Sequence, residues 1–562
     1  MSAQSIEVDQ EFLSRFIREA DKSIPQLNWA DRDSMLLNYL QFLEYFFLVE
    51  IPKLVTTHGQ DTEDAIHDQT QSGANHIIRW INTQAAQQQV QPVKASAITA
   101  DLIKQFWDIQ SFAVNYSELR DWENVAYEKF YAVEAVTQSH VRAYYQDEDR
   151  KRGQAAEWLL KGLQKIATPC QFDPTELLRD VFANTEAADK FNVPIGHVQD
   201  LINRPNPHFE ALWRMDPATS FGDFTLAEFR TFWAALYCLS DIQTNVARII
   251  ASRSDFPFSK VLLRMDRSDW LDKLHKLTNL DQAKLAVLLD LMLYNEAEAE
   301  ASWQPMFKFH DGTIAMSNFL VRNSNAETNL FALWNSMHGA KYGAIAGKKE
   351  NWWVKQKRPE LEKQGYITRG PVVFSSKPGQ PDGDIDLFIF HPKSKTALCC
   401  QLKWFLVPDR FRQSNVDKVL DGVKQVKDAI TWLATDTDRA QSSLSIKKTL
   451  YKDVLLLPLI ISRDWMLNGI KWDDDVPVIS EALFDFLLDS APADDTLLAV
   501  WECARQRTYL PAVQVDFTAK QRTIQLAGAR LDYERLEAVP GVQWSKKRIK
   551  FPELKKKAGG NA

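Results

Sequence analysis

The chain has 562 residues, 45% of them hydrophobic and 11% aromatic, enough for more than one core and, by length, about three to four domains. The five cysteines (Cys170, Cys238, Cys399, Cys400, Cys503) are odd in number and lack zinc-type spacing, which argues against a disulfide framework and for a reducing compartment. The net charge of −7 is uneven: residues 341–562 hold 36 Lys and Arg against 28 Asp and Glu, and residues 1–340 hold 31 against 46. A basic second half is compatible with a polyanionic partner, although ordinary surface variation gives the same numbers.

The first residues, Met1 to Asp9, lack the basic and then apolar pattern of a signal peptide, and the longest aliphatic run, Val454 to Ile461, is far too short to span a bilayer. A soluble cytoplasmic protein is expected, with no membrane partner.

Residues 1–300 read as a mostly helical module, with a break near 150–205 that allows two subdomains. Ser34 to Ile51 carries apolar residues on every turn and reads as a buried helix that Pro52 ends. Gln84 to Pro92 reads as a loop. Thr225-Leu226-Ala227-Glu228 is a capping box that opens a helix through Phe229, Phe232 and Leu236 to Ile250. Asp281 is the expected N-cap of a helix reaching Tyr294. In segment 301–340, Asp311-Gly312 between Met306-Phe307-Lys308 and Ile314-Ala315-Met316 is a hairpin signal.

From residue 341 an α/β pattern follows, to about residue 500. A helix from Gly347 to Gln364 ends at Gly365, and strands follow at Tyr366 to Phe374, Gly383 to Phe390 and Ala397 to Trp404. An amphipathic helix from Asn415 to Leu433 and a strand from Val454 to Ile461 complete an αβββαβ order, with Pro458 demanding an edge or a bulge. Residues 501–562 read as a small C-terminal β element (Val513 to Phe517, Thr523 to Leu526) with a Lys/Arg-rich tail.

The middle strands carry the chemistry. Residues two apart on a strand share a face, so Asp384 and Asp386 project together, as do Gln401 and Lys403. Two carboxylates, an amide and an ammonium on strands that are otherwise apolar are costly unless they serve one another or a ligand. The bland alternative is a solvated hairpin with a cross-strand Asp386–Lys403 ion pair.

This order, with Gly383-Asp384-Ile385-Asp386-Leu387 on one strand and Gln401-Leu402-Lys403 on the next, resembles the PD-(D/E)xK nuclease superfamily, in the Mrr-like variant with Gln-x-Lys. The resemblance covers residues 340–465 and implies a restriction-endonuclease-like domain. By that resemblance Asp386, Gln401, Lys403 and Glu350 are catalytic. Asp386, Gln401, Glu350 and the backbone carbonyl of Leu402 would hold Mg²⁺ or Mn²⁺. Asp384 is an accessory, and Asp382 precedes the strand core and is set aside.

The implied activity is hydrolysis of DNA phosphodiester bonds, with defence against foreign DNA as its setting. A non-catalytic scaffold with a degenerate nuclease fold and an RNA-directed nuclease are the alternatives. Arg410, Arg412, Lys418, Lys424 and Lys427 are candidates for phosphate contacts, or for a solvated helix face. Trp352, Trp353 and Trp404 flank the site as core aromatics or stacking platforms. A protein partner for the helical module and a homo-oligomer stay open. No His-Glu-x-x-His and no Gly-x4-Gly-Lys-Ser/Thr occurs, against a zinc protease and a P-loop motor.

Overall fold

The computed structural model describes residues 10–27, 30–58, 63–85, 98–127, 131–145, 148–153, 155–156, 199, 215–251, 256–295, 300–374, 383–404, 413–447, 451–462, 468–492, 495–512, 515–526, 528–539 and 551–552. A helical N-terminal part is followed by mixed α/β sheets, as the sequence implies.

The N-terminal helices are α1 (Gln10–Asp21), α2 (Arg32–Tyr45), α3 (Ile51–His58), α4 (Glu63–Ala85) and α5 (Ala100–Tyr127). Pro52 does not end the second of these, contrary to expectation. A π-helical turn, Phe46–Glu50, links α2 to α3 without a break, and Pro52 follows it as the second residue of α3. Gln84 and Ala85 still belong to α4, and the rest of the expected loop lies outside the described residues.

Strands β1 (Tyr131–Thr137) and β2 (His140–Tyr145) form a hairpin inside the stretch read as helical. The capping box at Thr225 is formed: its backbone N–H donates to Glu228 Oε2 (2.8 Å) and its Oγ1 accepts from the Glu228 N–H (3.3 Å). It opens α6 (Leu226–Ala251). Strand β3 (Leu263–Met265) and helices α7 (Arg267–Thr278) and α8 (Gln282–Leu291) follow, with Asp281 capping α8 through the Ala283 N–H at 2.8 Å. Strands β4 (Met306–Lys308) and β5 (Ile314–Met316) pair antiparallel around Gly312, whose φ of +85° suits glycine, and β3 adds to β5.

Helix α9 (Asn318–Arg322) precedes α10 (Ala326–Lys363), which starts 21 residues before the expected Gly347 and is kinked at His338 (φ −138°, ψ 42°). Its first half packs Leu330, Phe331 and Leu333 into one core and its second half packs Trp353, Val354 and Leu361 into another. It ends as expected at Gly365 (φ +91°).

The expected strand 366–374 divides at Gly370-Pro371 into β6 (Ile367–Arg369) and β7 (Val372–Phe374), and the next divides at Asp386 into β8 (Gly383–Ile385) and β9 (Leu387–His391). After β10 (Thr396–Lys403) come α11 (Gln413–Thr435), α12 (Thr437–Leu444), β11 (Leu455–Ser462), β12 (Val478–Ser480), α13 (Glu481–Ser490) and α14 (Thr496–Gln506). The sheet order is β12-β11-β10-β9-β6, with β10, β11 and β12 parallel and β9 antiparallel to both its neighbours. Pro458 is accommodated because β12 pairs only with residues 460–462 of β11; the strand is an edge where the proline sits, and its carbonyl accepts from Trp501 Nε1 (2.8 Å).

One face of this sheet packs Leu398, Cys400 and Leu402 against α10, α13 and α14; the other packs Cys399 beneath Val419, Val423 and Val426 of α11. Strands β13 (Phe517–Leu526) and β14 (Ala529–Ala538) follow: the expected strand Thr523 to Leu526 is the end of β13, Val513 to Phe517 is strand only at Phe517 among its described residues, and β14 is a strand not expected from the sequence. They do not stand alone: β14 pairs parallel with β2, so residues 131–145 and 517–538 share a four-stranded sheet. That sheet buries Ile524, Leu526 and Leu531 in the core of the N-terminal helices. No helix among the described residues is long and apolar enough to cross a membrane.

Candidate functional site

The site lies where β10 outruns β9. Their pairing ends at Cys400 opposite Leu387, while β10 continues along β11 to Lys403. Two amides beyond that point lack a neighbouring strand, and carboxylates take its place. The Leu402 N–H donates to Asp386 Oδ2 (2.8 Å) and the Trp404 N–H to Glu350 Oε1 (3.4 Å). In an extended strand a residue's carbonyl leaves on the same edge as its amide, so the Leu402 carbonyl faces this edge too.

Asp386 does not sit on a continuous strand with Asp384, as the period of two requires. The chain bends at Asp386: β8 pairs with β7, Asp384 opposite Val373, and β9 then turns into the large sheet. Gly370 permits this bend, since a Cβ there would collide with the carbonyl oxygen of Asp386. Gln401 is 2% exposed, and its Nε2 donates to the carbonyl of Asp384, tying the bend to β10.

Asp386, Glu350 and Gln401 thus each use one side-chain atom to satisfy backbone; each carboxyl keeps a second oxygen to offer, and the glutamine its single Oε1. Burial, more than any other cause, pushes the Glu350 carboxyl up to about 7; the charge of Asp386 adds to this, and Lys403 opposes it. Burial also pushes Asp386 up to about 6, against the hydrogen bond from Leu402, with Asp384 raising it further. Two carboxyls that resist ionisation beside one another are electrostatically ready for a cation.

The donors are all hard oxygens, which suits Mg²⁺ or Mn²⁺ held by few protein ligands. Among the described residues no three His, Cys, Asp or Glu side chains stand together as a ready cage. A cation here would have to draw also on the Gln401 amide and the Leu402 carbonyl.

Lys403 is on the α11 face of β10, and its Nζ donates to Gln425 Oε1 of α11 at 2.9 Å. Among the described residues it forms no Asp386–Lys403 ion pair of the solvated-hairpin kind. Neither Gln425 nor Gly422, whose missing side chain makes room for Lys403, stood out in the sequence; only the approach of α11 to β10 brings them to the site.

Lys418, Lys424 and Lys427 are all exposed on α11, and Lys427 pairs with Asp473 (2.6 Å). Arg410, Arg412, Asp382 and the basic tail lie outside the described residues. Trp353 is buried, donates to Glu481 Oε1 (2.7 Å) and meets Trp404 edge-on at 5.9 Å, which is core packing; Trp352 is half-buried under Lys355. No family model, no curated protein and no solved structure matches the chain.

Proposed function

We propose that the chain is a metal-dependent nuclease that hydrolyses DNA phosphodiester bonds at the edge of β10, in the manner of the PD-(D/E)xK superfamily. The observation that carries this reading is the convergence of Glu350, Asp386 and Gln401 from three separate elements on one open strand edge, with Lys403 beside them. The order α10, β6, β8–β9, β10, α11, β11 supports it, as does the mixed sheet those elements build.

Asp386, Glu350, Gln401 and the Leu402 carbonyl would hold Mg²⁺ or Mn²⁺. Bound there, the ion would neutralise charge on the scissile phosphate and lower the pKa of an attacking water. The protein's own part is positioning. The backbone bonds to Leu402 and Trp404 fix the two carboxylates. Lys403 offers a positive charge to the oxygen on which negative charge develops. Exposed Lys418 and Lys424 supply contacts to backbone phosphates without base specificity. DNA is the substrate that the basic second half and the family analogy favour, with defence against foreign DNA as the setting.

The test is cleavage of plasmid and linear DNA with Mg²⁺ by the wild type, Asp386→Ala and Lys403→Ala. Wild-type cleavage lost in both variants supports the assignment; equal cleavage by all three overturns it. A parallel assay on RNA separates the two nucleic acids.

The second reading is a non-catalytic nucleic-acid or protein scaffold. Gln401 favours it, because an amide where a carboxylate would bind metal more tightly is what a site losing catalysis shows. Calorimetry with Mn²⁺ distinguishes the two: a scaffold binds none, and an intact site binds it and loses it in Asp386→Ala.

A further inference from the structure

The Lys403 ammonium is bonded to a neutral amide, Gln425 Oε1, although Asp386 and Glu350 are near enough for its charge to lower both their carboxyls. An opposite charge in a partly buried site attracts an ammonium more strongly than an amide does. The flexible four-carbon stem of a lysine would, unrestrained, fold onto the carboxylates. Its path along α11 prevents that.

Gly422 and Gln425 are three residues apart and so share a face of the helix. A Cβ at position 422 would stand 2.6 Å from Cε and 3.4 Å from Cγ of Lys403, and 3.3 Å from Ile460 Cδ1. The glycine therefore opens a notch that the stem fills, and the glutamine closes its far end.

We propose that Gly422 and Gln425 are positioning residues for Lys403. Notch and amide together hold the ammonium on the α11 side, apart from Asp386 and Glu350. Lys403 then meets a substrate phosphate with its full charge, and the carboxylates stay open to a cation. A carboxylate at position 425 would neutralise the lysine; an amide holds it without doing so. The purpose of the clamp rests on the nuclease reading, but its existence does not.

Two measurements on the full chain test it. In a metal-free crystal structure of Gln425→Ala, Lys403 Nζ should move to within about 4 Å of Asp386 or Glu350, the range of an ion pair. Finding it still directed along α11 overturns the clamp.

Calorimetry with Mn²⁺ then reads the consequence. Gln425→Ala and Gly422→Ala should each weaken binding roughly tenfold, the effect of one close opposite charge competing for the site. Adding Lys403→Met to Gln425→Ala should restore it. A structural role for Gln425 alone would not be rescued by removing Lys403, so an unrescued loss overturns the proposal, as does undiminished binding in Gln425→Ala. If the wild type binds no Mn²⁺ the nuclease reading fails, and the position of Lys403 in the Gln425→Ala structure still decides the clamp.

Discussion

Glu44 in the helical part and Glu350 at the sheet edge are both buried carboxyls pushed up to about 7, with burial the largest cause in each. What surrounds them differs. Glu44 is fully buried, its Oε1 accepts from Ser317 Oγ (3.2 Å) and the Phe319 N–H (3.1 Å), and everything that opposes its shift is a hydrogen bond. It fastens α2 to the start of α9. Glu350 is held by one long amide bond, and its next influences are the charges of Asp386 and Lys403. A shifted carboxyl alone is a structural fastener. One shifted by charged neighbours from other elements, at a strand edge, is the mark of a site.

The largest effect that sharpens this contrast is on catalysis. Replacing each carboxyl by its neutral isostere should separate the two residues: Glu350→Gln should lower kcat on plasmid DNA by roughly 100-fold, the weight of a preorganised charge. Glu44→Gln should leave the activity per folded molecule unchanged. Equal activity in the two variants would remove Glu350 from the site.

Stability should rank them the other way. Glu44→Ala leaves the Phe319 amide and Ser317 hydroxyl without their buried acceptor and opens a cavity, a cost of about 3 kcal/mol in urea denaturation. Glu350→Ala removes a carboxyl that repels Asp386 and should cost about 1 kcal/mol or less. A larger loss for Glu350→Ala would make it the fastener.

What could be read from the sequence was what local chemistry decides. Thr225 and Glu228, Asp281, the Asp311-Gly312 turn and Gly365 each mark an element boundary, because the side chain or backbone freedom needed there is in the residue itself. The strand carrying Gln401 and Lys403 was legible from its period. What escaped depends on partners far away in sequence. The alternation along His140–Tyr145 is visible, yet its meaning comes from pairing with β14, 390 residues further on. The break of the strand at Asp386 needs Gly370 against its carbonyl, and the Lys403–Gln425 bond needs a helix laid across a sheet. Pro52 reads as a stop in the sequence, yet the helix passes through a π-turn and continues.

The pH dependence of stability also distinguishes the two regions. Glu44 and Glu350 rise from an ordinary 4.5 to about 7, and Asp386 from 3.8 to about 6. The folded chain therefore holds protons that the unfolded chain has released. Their contribution is fully present below about pH 4 and is lost as pH rises through 6 and 7, on the order of 2 kcal/mol per group. Thermal melts across this window should show stability falling with rising pH, and Asp386→Asn and Glu44→Gln should each flatten the fall. Mn²⁺ should flatten the share due to Asp386 and Glu350 and leave that of Glu44. A slope unaffected by Asp386→Asn would contradict the raised carboxyl.

The smallest effect concerns Gln401, where two demands meet. Its buried Nε2 holds the Asp384 carbonyl, a bond that no carboxylate can donate. Gln401→Glu would place an oxygen against that carbonyl and a third charge beside Asp386 and Glu350. Without metal, the variant should melt lower than the wild type. With Mn²⁺, the added charge strengthens the cation's hold, and affinity at pH 8 should rise roughly tenfold, about 1.4 kcal/mol. If the variant is destabilised and gains no affinity, the cation does not touch position 401, and the glutamine is there to bind the Asp384 bend alone.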